Sequence, residues 1–389
     1  MPIPTLCLSA HAGFLCRHSG ACCSSGWPIP VEAPLLARLR AALAEGRLQP
    51  AVGTGPGPAP FVETDGLPSG ASAILRVEPS GACPFHDGVN HRCLIRSRLG
   101  HDLLPASCQH FPRVCVTDDD SVRMTLSHYC PTVADMAFDH AQPLAIVRAP
   151  ASLVNALALE GLDARGAWPP LLRPNMLMDR AAYRTWERNV VSELARPAAA
   201  ETALARIAAA TERLRGWRPG GPTLGEAVAA AFAVRDGPDG AGDAVVPSLG
   251  PDGVDLDRMV RRAVPAPLAV PLAAPDAPQL FARHVAPAWM SFAETLRRYL
   301  AAKAFANWCA YQGSGLRTVV WSVVAALAVV KVESAGVCGK AGRQLDAALL
   351  REALRASDLL LVHLASREAL ARGLAEIEAV PGTRVLDAL

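Results

Sequence analysis

Seven cysteines carry the chemistry of this sequence. Cys16 precedes the adjacent pair Cys22 and Cys23 in "FLCRHSGACCSSGW", Cys83, Cys93 and Cys108 follow at wider spacing, and Cys130 closes the series in "LSHYCP". Thiolate is the metal-binding form of cysteine, and four thiolates complete either a tetrahedral zinc site or a four-iron cluster. A disulfide framework belongs to short secreted chains with an even cysteine count, and neither condition holds for 389 residues with 11 cysteines. The neighbours Cys22 and Cys23 cannot bridge each other without strain. The spacing matches no zinc-finger or ferredoxin run, so it points to metal without choosing between zinc and iron. Cys7, Cys115, Cys309 and Cys338 read singly as small buried hydrophobes.

The residues between these thiols suit such a centre. The small residues of "SGACCSSG" let the backbone wrap closely round it. Arg17, Arg92, Arg96 and Arg113 could offset thiolate charge. His86, His91, His101, His110 and His128 lie among the cysteines, but the thiols already outnumber the needs of one centre. Each histidine is therefore expected outside the ligand set or on the surface. Trp27 reads as a lid, and Asp118 to Asp120 read as a solvated turn.

The elements that must position these residues are short at first and helical later. "APLLARLRAALAEG" has the leucine stripe of a helix ending at Gly46, and "AILRVEP" over 73–79 reads as a strand. "RVCVTDDDSVRMTLS" alternates on two arms and predicts a hairpin. Beyond residue 140 alanine, leucine and arginine dominate, with amphipathic helices in "DRAAYRTWERNVVSELA" and "ETALARIAAATERLRGW". The fold class is α+β, mostly α. The expected units are a small cysteine-rich metal domain with short strands over 1–140, a helical region over 141–262 with a mobile loop near 235–253, and a C-terminal helical domain over 263–389.

Composition removes other classes. A net charge of +2 and 5% aromatic residues give no reason to expect nucleic acid. The apolar run Thr318 to Val330 is shorter than the ~20 residues of a membrane span, so it reads as a buried helix and no membrane is expected. The N-terminus lacks a basic region and a long apolar stretch, so no signal peptide is expected, and a cytoplasmic location is the default. "GTGPGP" and "GPDGAG" lack the strand and helix that a nucleotide-binding glycine loop requires.

The stretches "FLCRHSGACC", "CPFHDGVNHRCLIRSRLGHDLLPASCQHFPRV" and "LSHYCP" resemble the cysteine-cluster proteins described as zinc- or iron-chelating (YkgJ-type). Within that group they are most similar to the flagellin lysine-N-methylase (FliB-like) branch. The shared positions are Gly26-Trp27, Cys83-Pro84-Phe85, Cys93, Leu99-Gly100, Cys108 with Phe111-Pro112-Arg113, and Leu126-Ser127 before Cys130-Pro131, within residues 14–138. The resemblance implies an iron–sulfur cluster, of the 4Fe-4S kind, and S-adenosylmethionine, used to methylate lysines of a protein substrate such as flagellin. The metal ligands then come from Cys16, Cys22, Cys23, Cys83, Cys93, Cys108 and Cys130. Trp27, Phe85, Phe111 and Tyr129 each neighbour a cluster cysteine and are the candidates to line a cofactor cleft between the cysteine-rich and helical parts. Asp87, Asp102 and Tyr129 are candidates to orient the amine and accept its proton. The alternative function is a non-enzymatic zinc- or iron-binding protein with a structural, storage or delivery role.

Overall fold

The computed structural model describes residues 3–51, 59–64, 67, 70–154, 161–234, 249–268 and 270–379. The expected loop at 235–253 lies outside the described residues as far as 248, and both glycine-rich stretches lie outside them. The chain is mixed α and β and predominantly helical.

A five-stranded sheet stands at the centre of the N-terminal half. Its spatial order is Gly161–Asp163, Arg113–Thr117, Val122–Leu126, Thr5–Leu8 and Ile146–Arg148. The predicted hairpin is present, with Arg113 opposite Leu126 and Thr117 opposite Val122. Thr5–Leu8 runs parallel to Val122–Leu126 on one side and antiparallel to Ile146–Arg148 on the other. Residue 140 is therefore no break in the fold, because two strands beyond it complete a sheet begun at Thr5. The turn also differs from a solvated one. Asp118 is buried, accepts from the backbone N–H groups of Asp120 and Ser121, and pairs with buried Arg123 at 3.1 Å. Asp119 and Asp120 pair with Arg180 and Arg184 of the Arg180–Ala195 helix, which docks on the turn.

The chain between Thr5–Leu8 and Arg113–Thr117 forms a separate small core. Ile29–Glu32, Ala71–Leu75 and Phe61–Val62 make a three-stranded antiparallel sheet, covered by the Ala33–Ala44 helix through Leu35, Leu36 and Leu39. Cys23 and Cys83 belong to this core.

The helices share one core that spans the expected boundary at 262/263. Its axis is Leu316–Ala341, long and apolar enough to cross a membrane, yet with 83% of its most apolar window buried inside the protein. Arg261, Asp257 and Glu333 clamp the Pro251–Arg262 helix to it. Lys331 is buried as well and pairs with Glu201 at 3.2 Å, while Trp289 Nε1 donates to the same carboxylate at 2.9 Å. The helix Ala347–Asp358 passes into a π-helical turn, Leu359–Leu364, that carries His363 back toward the N-terminal half.

Candidate metal centre and the adjoining cavity

Cys22 and Cys23 sit in one tight 3₁₀ turn, Ala21–Cys23, entered through Gly20 at φ 71°. Only glycine fits there: a Cβ would lie 2.5 Å from the His91 carbonyl oxygen and 2.7 Å from His86 Nε2. The Cys23 carbonyl accepts from the Cys83 N–H at 2.7 Å, which ties the first thiol cluster to the second. Cys93 opposes His86 in a two-stranded ribbon and precedes the Leu94–Leu99 helix, whose first N–H groups donate to its sulfur. Cys108 lies in the short Ala106–His110 helix, and Cys130 caps Pro131–Met136.

Six of the seven thiols, Cys16, Cys22, Cys23, Cys93, Cys108 and Cys130, line one cavity of about 320 Å³. They fall into two groups. The Cys23 thiol hydrogen-bonds with Cys22 and Cys93, and Cys83 and Cys108 lie within electrostatic reach. Cys130 is near exposed Cys16, whose sulfur accepts from the His18 N–H at 3.4 Å. The Cys23 hydrogen bond pulls the Cys93 thiol down to about 7, helped by the Ile95 and Arg96 N–H groups, and Cys22 is lowered the same way. Burial pushes Cys83 up to about 12 and raises Cys108 and Cys130. Arg17, Arg96 and Arg113 line the cavity, and its lining holds no carboxylate. Among the described residues no three histidine, cysteine, aspartate or glutamate side chains stand close enough to hold one ion as placed. The donor chemistry fits a thiolate-held metal nonetheless: two thiols with depressed pKa, others alongside, and guanidinium groups to balance negative charge.

His18, His91 and His101 also line this cavity. His86 keeps a buried Nε2 without a hydrogen-bond partner. His110 faces a second cavity, and His128 belongs to a buried network.

That second cavity, about 500 Å³, lies between the thiol unit and the C-terminal helices. Phe111 and Arg113 form a wall common to both cavities. Trp27 and Phe111 line the larger one. Tyr129 stands behind them, its ring 5.2 Å from that of Trp27, and lines neither cavity. Phe85 does not reach either: it lies in the turn just before the ribbon and is fully buried against Phe61 in the small core. Asp87 and Asp102 are partly or well exposed and away from both walls. Asp87 accepts from the Val89 and Asn90 N–H groups, holding a turn.

The helical half contributes His363, Trp308 and Arg367, none marked by any local motif. His363 stacks on Trp27 with centroids 4.4 Å apart, and its Nε2 is 2.8 Å from Ser127 Oγ. Burial pulls His363 down to about 3. Behind it, Asp358 accepts from Lys303 Nζ at 2.6 Å, Tyr299 at 2.9 Å and the His128 N–H at 2.5 Å. The π-helical turn is what aims His363 at the cavity while Asp358 stays inside. Comparison with family models, characterised proteins and solved structures finds no match to this chain.

Proposed function

We propose that this protein is an iron–sulfur-dependent lysine N-methyltransferase that uses S-adenosylmethionine and acts on a lysine-bearing protein of the flagellin type. The observation that carries the reading is the wall shared by the thiol cavity and the larger cavity, formed by Phe111 and Arg113. A metal centre behind that wall stands next to a space of ligand size at the junction of two halves of the fold, where reactive sites commonly form. Cys22, Cys23, Cys93 and Cys108 would hold the cluster, with Cys83 within electrostatic reach and Cys16 and Cys130 as a second group lining the cavity. The bound groups would supply thiolate-ligated iron and a transferable methyl group.

The chain's own residues do the rest. A lysine attacks a methyl sulfonium only as the neutral amine. Arg113 and Arg367 face the larger cavity, and their positive charge disfavours an ammonium there, which shifts an entering lysine toward its neutral form. Glu368 on the same wall is a carboxylate that can take the departing proton. Trp27, Phe111 and Trp308 exclude water from the space around it.

The test is anaerobic purification with iron and sulfide analysis, followed by incubation with a reductant, labelled S-adenosylmethionine and flagellin. Label transfer lost in folded Cys22→Ser and Cys108→Ser variants supports the enzyme. A colourless zinc protein with no transfer returns it to a metal-binding module with a structural, storage or delivery role.

A further inference from the structure

Two arginines face the larger cavity and are held there by neutral groups. Arg113 Nε donates to the Leu153 carbonyl at 2.7 Å and its Nη1 to the His110 carbonyl at 3.3 Å. Arg367 lies over the Trp308 ring, its guanidinium carbon 3.0 Å from the centroid, with one long contact from Nη2 to the Val362 carbonyl at 3.5 Å. Trp308 is itself fixed, donating from Nε1 to the Cys115 carbonyl at 3.1 Å. Neither arginine forms an ion pair with a carboxylate among the described residues; Glu368 acts on Arg367 only through its field. Elsewhere buried or half-buried arginines do meet carboxylates: Arg123 has Asp118 and Glu187, Arg261 has Asp257 and Glu333, and Arg298 and Arg76 have one each, Glu294 and Glu78. Arg297 is also held by two carbonyls, but it lines neither this cavity nor the thiol cavity.

A guanidinium has five N–H donors in a rigid fork. Contacts to two carbonyls leave Arg113 with donors to spare, and one long contact leaves Arg367 with more. Stacking on Trp308 fixes the direction of the Arg367 fork before any ligand arrives, so little side-chain freedom is lost on binding. The helix Arg367–Ala379 also begins at this wall, which adds partial positive charge. The one carboxylate in the lining, Glu368, already accepts from Ser366 Oγ at 3.2 Å. Trp27 and Phe111 line the same cavity and present aromatic surface, with ring centroids 5.7 Å apart. The volume of about 500 Å³ is in the range of small-molecule sites.

We infer that this cavity binds a flat aromatic ring carrying a carboxylate or a phosphate, its anionic end on Arg113 and Arg367 and its ring against Trp27 and Phe111. The site stands whether or not the protein is a methylase. It rests on that reading only where the ligand is an adenosyl amino acid.

The experiment titrates the whole, anaerobically purified protein with S-adenosylhomocysteine and, separately, with AMP, by calorimetry. At least one probe binds, and Arg367→Gln and Arg113→Gln each weaken it tenfold or more, about 1.4 kcal/mol. Arg367→Lys keeps the charge and recovers part of the loss. Raising salt from about 50 to about 500 mM weakens binding to the wild type, because the anion contact is partly screened. Circular dichroism and melting confirm folding, and Arg113→Gln decides the matter if Arg367→Gln does not fold. Binding of AMP but not S-adenosylhomocysteine, with the same arginine dependence, upholds the site and removes the methylase reading. Binding of S-adenosylhomocysteine indifferent to both arginines removes this site and leaves the methylase reading standing. No binding of either probe overturns the inference.

Discussion

Replacing Asp358 by asparagine should be among the most damaging single changes in the helical half. The carboxylate is fully buried and is met by Lys303 Nζ at 2.6 Å, the Tyr299 hydroxyl at 2.9 Å, and the N–H of His128 at 2.5 Å. Burial alone would raise its pKa, but Lys303 and His128 overcome that and hold it well below the usual carboxylate range. The asparagine keeps the shape and removes the charge, so Lys303, only 10% exposed, is left without a counter-ion. Removing one partner of a buried pair costs about 3–5 kcal/mol. Lys303→Met alone strands the carboxylate and should cost a similar amount. The double variant Lys303→Met/Asp358→Asn strands neither charge, so its loss should fall short of the sum by about 2 kcal/mol or more. Urea unfolding followed by circular dichroism, with linear extrapolation, measures all four proteins. An Asp358→Asn loss under about 1 kcal/mol, or strictly additive effects, would refute the reasoning.

Gly20→Ala should destabilise the thiol unit by well over the roughly 1–2 kcal/mol of a left-handed residue, because its Cβ also meets the His91 carbonyl at 2.5 Å; Gly26→Ala, at φ 76° with open space, should show the backbone term alone, both by proteolysis of the unit. In metal-free protein, Cys93, held at about 7, should react with iodoacetamide at neutral pH long before Cys7, raised to about 11 by burial; mass spectrometry that finds Cys7 alkylated first contradicts the assignment. His363 is neutral in the folded protein down to about 3 but takes a proton below about 6.5 when unfolded, so its contribution to stability is lost as pH falls through that window. His11 and His128 are shifted the same way, so His363→Gln should reduce the slope of unfolding free energy against pH by up to about 1.4 kcal/mol per unit and not abolish it.

The local parts of this fold were legible because their signals are local. The hairpin at 113–126 shows in two-residue alternation, and the helices Arg180–Ala195 and Ala200–Arg215 show in apolar stripes. The thiols stood out by type and density. What stayed hidden depends on distant partners. Asp118 looks like turn chemistry until Arg123, Glu187 and Tyr311 close round it. His363, Asp358 and Lys303 carry no local motif, and only packing brings them against Ser127 and His128, more than 200 positions away for the first two. Phe85 neighbours a cysteine as Phe111 does, yet the turn before His86 packs it into the small core, and sequence proximity carries no information about that direction.

The strand Thr5–Leu8 lies between Val122–Leu126 and Ile146–Arg148, so a segment made earlier waits for two made more than a hundred residues later. Everything from Ser9 to Pro112, including six of the seven thiols and the small core that carries five of them, leaves and re-enters at the same end of one sheet. During synthesis those six thiols leave the ribosome before the sheet that anchors them can close. The small core has its own apolar contacts and its own strand ladder, so it can fold at that stage. Cys130 then arrives just behind Val122–Leu126, the third strand of that sheet in chain order, to join a cavity whose other thiols are already made. Assembly of the centre is thereby tied to assembly of the sheet: a chain stopped short of residue 130 would expose reactive thiols without the wall that encloses them.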